Sequence, residues 1–328
     1  MAYPATNRFN YWAQLGILAG LMGAGLIFSG VVQFLLLPIG PGDLKDLENK
    51  IFVPENAGIL RVIQLFTTLL MFFVPTAVYA WICHKKVFTH LGFRHAVNIK
   101  QAVIVIVIMM AALPLSGILS ELTEKLPFSK ATFAMFREAE DAYNKQINII
   151  GRMDNLKDYL LSLFMLAVLP GIFEEVFFRG GVQNLLSRWW KMPILAIVVT
   201  SVIFSAVHGS YFGFLSRCVL GFVLGWMYYR TGNLWLNVIA HGFYNGTAVT
   251  VLYISKLRNP GVDLSKENGP AFPWWMGLVS VIVLYGLFVL LEKVSSYQIE
   301  KPGEEVLLPV ENPDQPSWLY NKEENKPL

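Results

Sequence analysis

Residues 158–182 read DYLLSLFMLAVLPGIFEEVFFRGGV, and this stretch decides the fold class. It places two adjacent acids, Glu174 and Glu175, and one arginine, Arg179, in a run that is otherwise nearly all apolar. A helix needs about 20 mainly apolar residues to cross a bilayer, so the run predicts a membrane span. Because a charge at the bilayer centre costs roughly 2.5–3.5 kcal/mol, these three side chains indicate a polar interior around them.

The composition of the whole chain is typical of a polytopic membrane protein. Of its 328 residues, 55% are hydrophobic and 15% are charged, the formal net charge is +3, and the mean hydropathy is +0.49. A soluble domain is usually about 25% charged, so a single soluble core, a disordered chain and a collagen-like fibre are excluded. The two cysteines, Cys83 and Cys218, match no metal or redox spacing and are expected to be small core residues.

Apolar windows long enough to span a bilayer recur along most of the chain. They lie near residues 12–37, 59–83, 101–120, 158–182, 193–208, 212–229, 234–254 and 272–292. We therefore predict an all-α polytopic membrane protein with about eight transmembrane helices that enclose a polar cavity. Residues 1–292 are expected to form one membrane domain, and residues 293–328 a polar, disordered cytoplasmic tail.

The distribution of basic residues predicts the orientation in the membrane. Segment 84–100 contains Lys85, Lys86, Arg94 and Lys100 and no acid. Positively charged loops remain in the cytoplasm, so we expect both termini to be cytoplasmic, in a bacterial cytoplasmic (inner) membrane, and the cavity to open to the cytoplasm. Loop 121–157 is then outside, where its pattern of aromatic and charged residues predicts a short amphipathic helix on the membrane surface.

Polar residues also occur in two later apolar helices. The fifth window ends in FSAVH, residues 204–208, and the seventh contains HGFYN, residues 241–245. Residues four apart lie on one face of a helix, so Glu175 can pair with Arg179. Glu174 is turned by about 100° and is left free to act as a general base. The segment Pro170-Gly171 is expected to break the helix just before the acids.

The predicted depths of these groups agree only in part. With 1.5 Å per residue, Glu174 lies about 12 Å from the end of a helix that stops near residue 182, and His241 lies about 10 Å deep. His208, counted from residue 193, lies about 22 Å deep. This prediction therefore requires a later helix start, a strong tilt or a helix break to bring His208 level with Glu174.

The three motifs, Glu-Glu-x-x-x-Arg at 174–179, Phe-x-x-x-His at 204–208 and His-x-x-x-Asn at 241–245, resemble the CPBP family (CAAX protease and bacteriocin-processing, Abi). This group of intramembrane proteases includes the CAAX prenyl endopeptidase Rce1, and the resemblance covers about residues 158–254. It implies that Glu174 and His208 activate a water molecule, while His241 and Asn245 stabilise the oxyanion. Glu175 and Arg179 would brace the site. The implied substrate is a membrane-associated peptide or protein.

Several alternatives remain open from the sequence. Glu174, His208 and His241 could instead hold a divalent metal such as zinc, although no His-Glu-x-x-His motif is present and metal-independent catalysis is favoured. A non-catalytic membrane scaffold, a bacteriocin immunity protein or a proton-coupled transporter would also keep buried ionisable residues. The expected partners are the lipid bilayer and the substrate, and no nucleic acid.

Two further groups of residues are expected to have no role in the chemistry. Arg217, at the start of the sixth window, is expected to extend its guanidinium to the outer membrane interface or to meet a carbonyl, with a place in the cavity lining as the alternative. The histidines of the basic loop are expected to be scattered surface residues. They are His84, His90 and His95.

Overall fold

The computed structural model describes residues 9–37, 51–84, 86–93, 97–258 and 272–295. The helices, in chain order, are α1 (Tyr11–Leu36), α2 (Pro54–Cys83), α3 (Val87–His90), α4 (Ile99–Glu124), α5 (Lys130–Ile150), α6 (Leu156–Trp190), α7 (Pro193–Ala206), α8 (Phe214–Thr231), α9 (Leu234–Arg258) and α10 (Trp274–Ser295). Within these ranges the fold contains no strand.

Each of the eight predicted spans corresponds to a helix of at least 14 residues, so the all-α polytopic membrane fold is confirmed. Five of them, α1, α2, α4, α6 and α10, are long and apolar enough to cross a bilayer by themselves. Helix α7 is apolar but has only 14 residues. The predicted tail lies outside the described residues, apart from its first three positions, which continue α10.

Two apolar cores hold the bundle together. The first joins α1, α2 and α6 around residues such as Tyr79, Phe177 and Phe178. The second joins α4, α8, α9 and α10 and includes Ile108 and Met227. The helices that carry the three motifs lie where these two cores meet, so polar side chains between them are shielded by apolar layers on both sides.

Helix α6 is longer than the sequence predicted. The apolar run ends near residue 182, but the helix continues to Trp190 because its polar side chains in the last two turns are buried against neighbouring helices. Asn184 Nδ2, for example, donates to the His90 carbonyl at 2.7 Å. The prediction of a helix end near 182 was wrong, since hydropathy does not detect polar residues that are satisfied inside the bundle.

The extra turns remove the predicted mismatch in depth. Glu174 lies 16 residues before Trp190, about 24 Å along α6, which agrees with the depth of about 22 Å estimated for His208. Helix α9 begins inside the bundle, because Leu234 is fully buried and its N–H donates to the Gly92 carbonyl at 2.8 Å. The shorter distance of His241 from its own helix start is therefore also compatible with a common level.

The predicted break at Pro170 takes the form of π-helical turns. One π segment, Phe164–Val168, precedes the proline, and a second, Val176–Gln183, follows the acids directly. A proline lacks the N–H that an α-helix needs at that position, so a wider turn accommodates it. Glu174 and Glu175 thus lie in a seven-residue α-helical segment between two π segments, an irregularity that is frequent at functional sites.

Candidate active site

Small residues bring α6 and α9 close together at the level of the acids. A Cβ atom built on Gly171 would lie 3.1 Å from the backbone nitrogen of Gly242 and 3.3 Å from its Cα. The two backbones therefore approach more closely than larger side chains allow, as in other membrane helix pairs with small residues at the interface. Gly171 lies one turn before Glu175, and Gly242 follows His241, so the contact sets these two side chains opposite each other.

Glu175 is the centre of a fully buried polar network. Its Oε1 lies 3.1 Å from Arg179 Nη1 and accepts a hydrogen bond of 2.8 Å from His241 Nδ1. Its Oε2 accepts from Asn237 Nδ2 at 3.2 Å. Arg179 Nη2 in turn donates to the Gly221 carbonyl of α8 at 3.0 Å. The predicted Glu175–Arg179 pair is therefore present and joins α6, α8 and α9.

The sequence analysis missed Asn237. Its amide also donates to the Leu224 carbonyl at 2.7 Å, so one side chain connects α9 to both α8 and Glu175. A signal was available, because Asn237 lies four residues before His241 and therefore on the same face of the helix.

Glu174, His208 and His241 converge on one point. Glu174 Oε2 lies 3.8 Å from His208 Nε2 and 3.9 Å from His241 Nε2, and this buried oxygen has no hydrogen-bond partner among the described residues. His208 Nδ1 donates to the Phe204 carbonyl at 2.6 Å, as His241 Nδ1 does to Glu175. Because both rings are anchored through Nδ1, both Nε2 atoms are turned toward Glu174. We call these three residues, with Glu175, Arg179 and Asn237, the site cluster.

Asn245 is near the cluster in sequence but not joined to it. It lies one helical turn after His241 and is half-buried. Its side chain makes no hydrogen bond or ion pair within the described ranges. Its amide donors are thus uncommitted, in contrast to those of Asn237.

Comparison with known proteins agrees with the motif pattern. Residues 156–247 match the family of Type II CAAX prenyl endopeptidase Rce1-like proteins, and the matched segment contains all three motifs. Because of this similarity, we call residues 156–247 the Rce1-like domain. The resemblance to the CPBP family is therefore confirmed for the part of the chain that forms the site cluster.

The chain is also similar to a curated relative whose name describes a membrane peptidase. It is the Bacillus subtilis protein named "Putative membrane peptidase YdiL", which is 27% identical over 127 residues, 39% of this chain. The chain spans about half the length of that relative, 48%. Among solved structures, none matches the chain.

The amphipathic helix predicted in loop 121–157 exists as α5, and it covers one end of the Rce1-like domain. Ser210, in the loop after His208, donates to Glu140 Oε2 of α5 at 2.7 Å. Phe136 of α5 stacks on Tyr211 with a centroid separation of 4.1 Å. We call this the α5 end of the bundle and the opposite end, where Arg188, Lys191 and Arg230 lie, the basic end.

The site is most open toward the α5 end. His208 keeps 22% of its side chain exposed, compared with 11% for Glu174 and 6% for His241. Helix α1 begins and helix α10 ends at the basic end, where Tyr11 stacks on Trp189 and Arg230 pairs with Glu292. The opening toward the α5 end therefore lies opposite the first residues of α1 and the last residues of α10.

Arg217 belongs to the site region and not to the outer interface. Its guanidinium lies 5.7 Å from the ring centroid of Tyr143 of α5, and its Nη2 is 3.4 Å from the Ser210 carbonyl. The expected contact with a carbonyl is present, and α5 covers the direction in which the side chain would extend to the membrane surface.

The fit of the site cluster to a metal ion is incomplete in this conformation. Two Nε2 atoms and one carboxylate are donors that zinc commonly takes, and both rings are anchored through Nδ1 as metal-bound histidines usually are. However, within the described ranges no three His, Cys, Asp or Glu side chains lie close enough together to hold a metal ion.

A second buried polar cluster lies at the basic end. We call its members, Gln14, Tyr79, His84, His90 and Arg188, the basic-end cluster. The rings of His84 and His90 stack with centroids 3.3 Å apart, and His84 is only 7% exposed. The expectation of scattered surface histidines was wrong for this pair, because α3 folds back against α2 and α6. His95 lies outside the described residues.

Proposed function

We propose that this integral membrane protein is an endopeptidase that hydrolyses a peptide bond in a membrane-associated peptide or protein. One observation carries the proposal: a buried carboxylate oxygen without a hydrogen-bond partner, Glu174 Oε2, faces the Nε2 atoms of two histidines at 3.8 and 3.9 Å. The Rce1-like family and the membrane peptidase relative support the same class of activity.

The three facing atoms suit the activation of a water molecule. A neutral histidine that donates through Nδ1 presents a lone pair at Nε2, so Glu174, His208 and His241 together present three acceptors. A water molecule between them donates its two hydrogens to two of these acceptors and turns an oxygen lone pair outward. Glu174 then takes the proton as the water oxygen forms a bond to the scissile carbonyl carbon.

The remaining steps need an oxyanion donor and an acid. We assign the donor role to Asn245, whose amide makes no other hydrogen bond in the described part of the chain. One donor of this kind contributes about 2.7–4 kcal/mol to transition-state stabilisation. Glu174 returns its proton to the leaving nitrogen as the C–N bond breaks, so no proton or electron is left over. Glu175 and Arg179 hold His241 in place and do not contact the substrate.

Substitution of Glu174 tests the proposal. Glu174→Gln keeps the size of the side chain but removes the base, and we expect the rate of cleavage to fall about 10²- to 10⁴-fold. The matched control is Glu121→Gln, which removes an exposed carboxylate paired with Lys125 far from the site. The measurement is the fragment pattern of total membrane protein by mass spectrometry, from cells that express the wild type or a variant at equal level.

Rival functions give different outcomes in the same cells. A membrane scaffold or an immunity protein keeps its phenotype in Glu174→Gln, and fragment patterns that do not differ between the wild type and this variant would refute the peptidase. A proton-coupled transporter would show substrate-dependent proton flux in proteoliposomes. We propose that no such proton flux occurs.

Metal dependence is tested separately. We propose metal-independent hydrolysis, with Glu174, His208 and His241 as the candidate ligands if an ion takes part. A strong chelator should leave cleavage by the purified protein unchanged. Loss of activity that zinc restores would replace the water-activation scheme above with a metal-assisted one and leave the peptidase assignment intact.

We further propose that the basic end faces the cytoplasm of a bacterium, since basic loops remain inside, and that the site is reached from the opposite face. Single cysteines at Lys191 and at Glu140, in a chain without Cys83 and Cys218, report the orientation. A membrane-impermeant maleimide should label the cysteine at 140 in intact cells and the one at 191 only after lysis. The reverse pattern would invert the assignment.

A further inference from the structure

Arg217 has a guanidinium that the rest of the chain does not satisfy. No carboxylate of the described residues lies within ion-pair distance of it, and its Nε is buried without a hydrogen-bond acceptor. Its one hydrogen bond, from Nη2 to the Ser210 carbonyl, is long at 3.4 Å. A guanidinium carries five N–H donors, so most of the donors of this side chain are unused. A partly buried cation in this state requires an explanation.

The guanidinium is nevertheless held in a defined place. The guanidinium carbon of Arg217 lies 5.7 Å from the centroid of the Tyr143 ring. Gly213 lies on another side of the guanidinium. A Cβ atom on Gly213 would lie 2.5 Å from Nη1 and 2.6 Å from Nη2, so any larger residue would displace the guanidinium. A glycine that leaves space for the guanidinium and an aromatic ring beside it are features of a preorganised binding site.

Arg217 lies on the open side of the site cluster. Its positive charge acts on His208, the most exposed member of the cluster, and on Tyr143 and Tyr244. Arg179 balances the charge of Glu175, but no lysine or arginine of the described residues lies within 4.0 Å of Glu174. A substrate with a negative charge that enters from the α5 end would be repelled by Glu174 unless a second cation compensates, and Arg217 is in that position.

We propose that Arg217 binds a carboxylate of the substrate, at a fixed distance from the scissile bond on the side that faces α5. This inference rests on the proposed peptidase function and narrows it to substrates with an acidic side chain or a free C-terminus at that distance. The planar fork of a guanidinium matches a carboxylate with two parallel hydrogen bonds. The phenol of Tyr143 is beside it as a neutral donor, since burial raises the pKa of Tyr143.

The test measures substrate preference and not activity alone. The full chain in lipid nanodiscs is incubated with a degenerate peptide mixture, half with a free C-terminal carboxylate and half with a carboxamide, and the products are sequenced by mass spectrometry. The wild type should favour a carboxylate over its amide counterpart by about 10- to 100-fold at one position relative to the cut. Arg217→Gln should lose this preference, and Arg217→Glu should favour a lysine or arginine there.

Controls separate binding from a structural role. Arg137→Gln removes another cation at the α5 end, which stacks on Phe212 at 5.1 Å, and should keep the preference. If Arg217 only attaches α5 through Tyr143, Arg217→Gln lowers the cleavage of acidic and neutral peptides equally, and the inference is wrong. Arg217→Lys, which retains the charge without the fork, provides a graded loss if the glutamine variant does not fold.

The remaining outcomes distinguish this inference from the function on which it rests. Cleavage by the wild type without any acidic preference, abolished in Glu174→Gln, would refute the carboxylate site and support the peptidase. Failure of the wild type to cleave any peptide of the mixture, together with fragment patterns unaffected by Glu174→Gln in cells, would refute both.

Discussion

Two buried polar clusters lie at different levels of α6, and their hydrogen bonding differs. In the basic-end cluster, Arg188 donates to three neutral oxygens, those of Asn184 at 3.0 Å, Gln14 at 3.2 Å and Tyr79 at 3.3 Å. In the site cluster, Arg179 faces a carboxylate, and a second carboxylate oxygen, on Glu174, has no hydrogen-bond partner in the described ranges.

The comparison separates a structural cluster from a reactive one. A buried polar group without a partner costs roughly 1–3 kcal/mol, so a chain that keeps one sacrifices stability at that place. Glu174 is such a group and Arg188 is not. The same criterion identifies Arg217, whose donors are unused although it lies in a protected position. Buried ionisable residues and incomplete hydrogen bonding occur in both clusters, because His90 Nε2 also lacks a hydrogen-bond partner among the described residues. Specific to the site is that the unpartnered atom is a carboxylate oxygen, which can accept a proton.

The largest expected effect concerns Arg179. Arg179→Leu leaves Glu175 as a buried charge without its counter-ion, which typically costs about 3–5 kcal/mol, whereas Glu174→Gln should change stability little. The free energy of unfolding, measured by denaturing-detergent titration, checks the difference. Combining Arg179→Leu with Glu175→Gln should recover part of the loss, and equal stability of Arg179→Leu and Glu174→Gln would contradict the bracing role.

A smaller effect is expected at the contact between α6 and α9. Gly171→Ala places a methyl group 3.1 Å from the backbone nitrogen of Gly242, which cannot move without shifting α9. We therefore expect the free energy of unfolding to fall by about 1–3 kcal/mol. Cleavage should fall as well, because the distance between Glu175 and His241 depends on this contact. Gly286→Ala on α10 is the control, since a Cβ there meets open space. Similar melting temperatures for both variants would show that the close approach is unimportant.

The basic-end cluster should respond to loss of its arginine in stability only. Arg188→Leu leaves neutral acceptors behind, so we expect a loss of about 1–3 kcal/mol, less than for Arg179→Leu. Its cleavage activity per folded molecule should equal that of the wild type. A specific loss of activity in this variant would remove the distinction between the two clusters.

The smallest expected effect is a pH dependence at the basic end. Burial, together with the charges of His84 and Arg188, holds the pKa of His90 well below its usual value of 6.5. The folded protein thus keeps His90 neutral while the unfolded chain takes up a proton below pH 6.5, so the stabilisation is complete above that pH and is lost as the pH falls. Melting temperatures of the wild type should therefore decline more between pH 7.5 and 5.5 than those of His90→Phe. Parallel declines would contradict this assignment.

Much of the site could be predicted from the residues because it depends on spacing within single helices. The pairing of Glu175 with Arg179 follows from four residues of separation, and the convergence of three polar helices follows from the cost of placing charges in an apolar interior. The same reasoning placed the eight long helices within a few residues of their observed bounds, except for the C-terminal end of α6.

The errors all concern residues whose environment is set by other helices. The pair His84 and His90 lies in a segment with the composition of a surface loop, and hydropathy cannot detect that α3 folds back against α2 and α6. Nor can it detect that Asn184 and Arg188 are buried and hydrogen-bonded to neighbours, which is why α6 extends eight residues beyond the predicted end.

The amino-acid sequence by itself determined the membrane class, the helices and the identity of the polar groups, because these depend on local composition and helical periodicity. Only the tertiary structure decided that Glu175 and not Glu174 binds His241, that Asn237 completes the network, and that the site opens toward α5. Those features depend on the distances between helices. Close packing at Gly171 and the burial of polar side chains determine these distances, and the residue spacing within one helix does not.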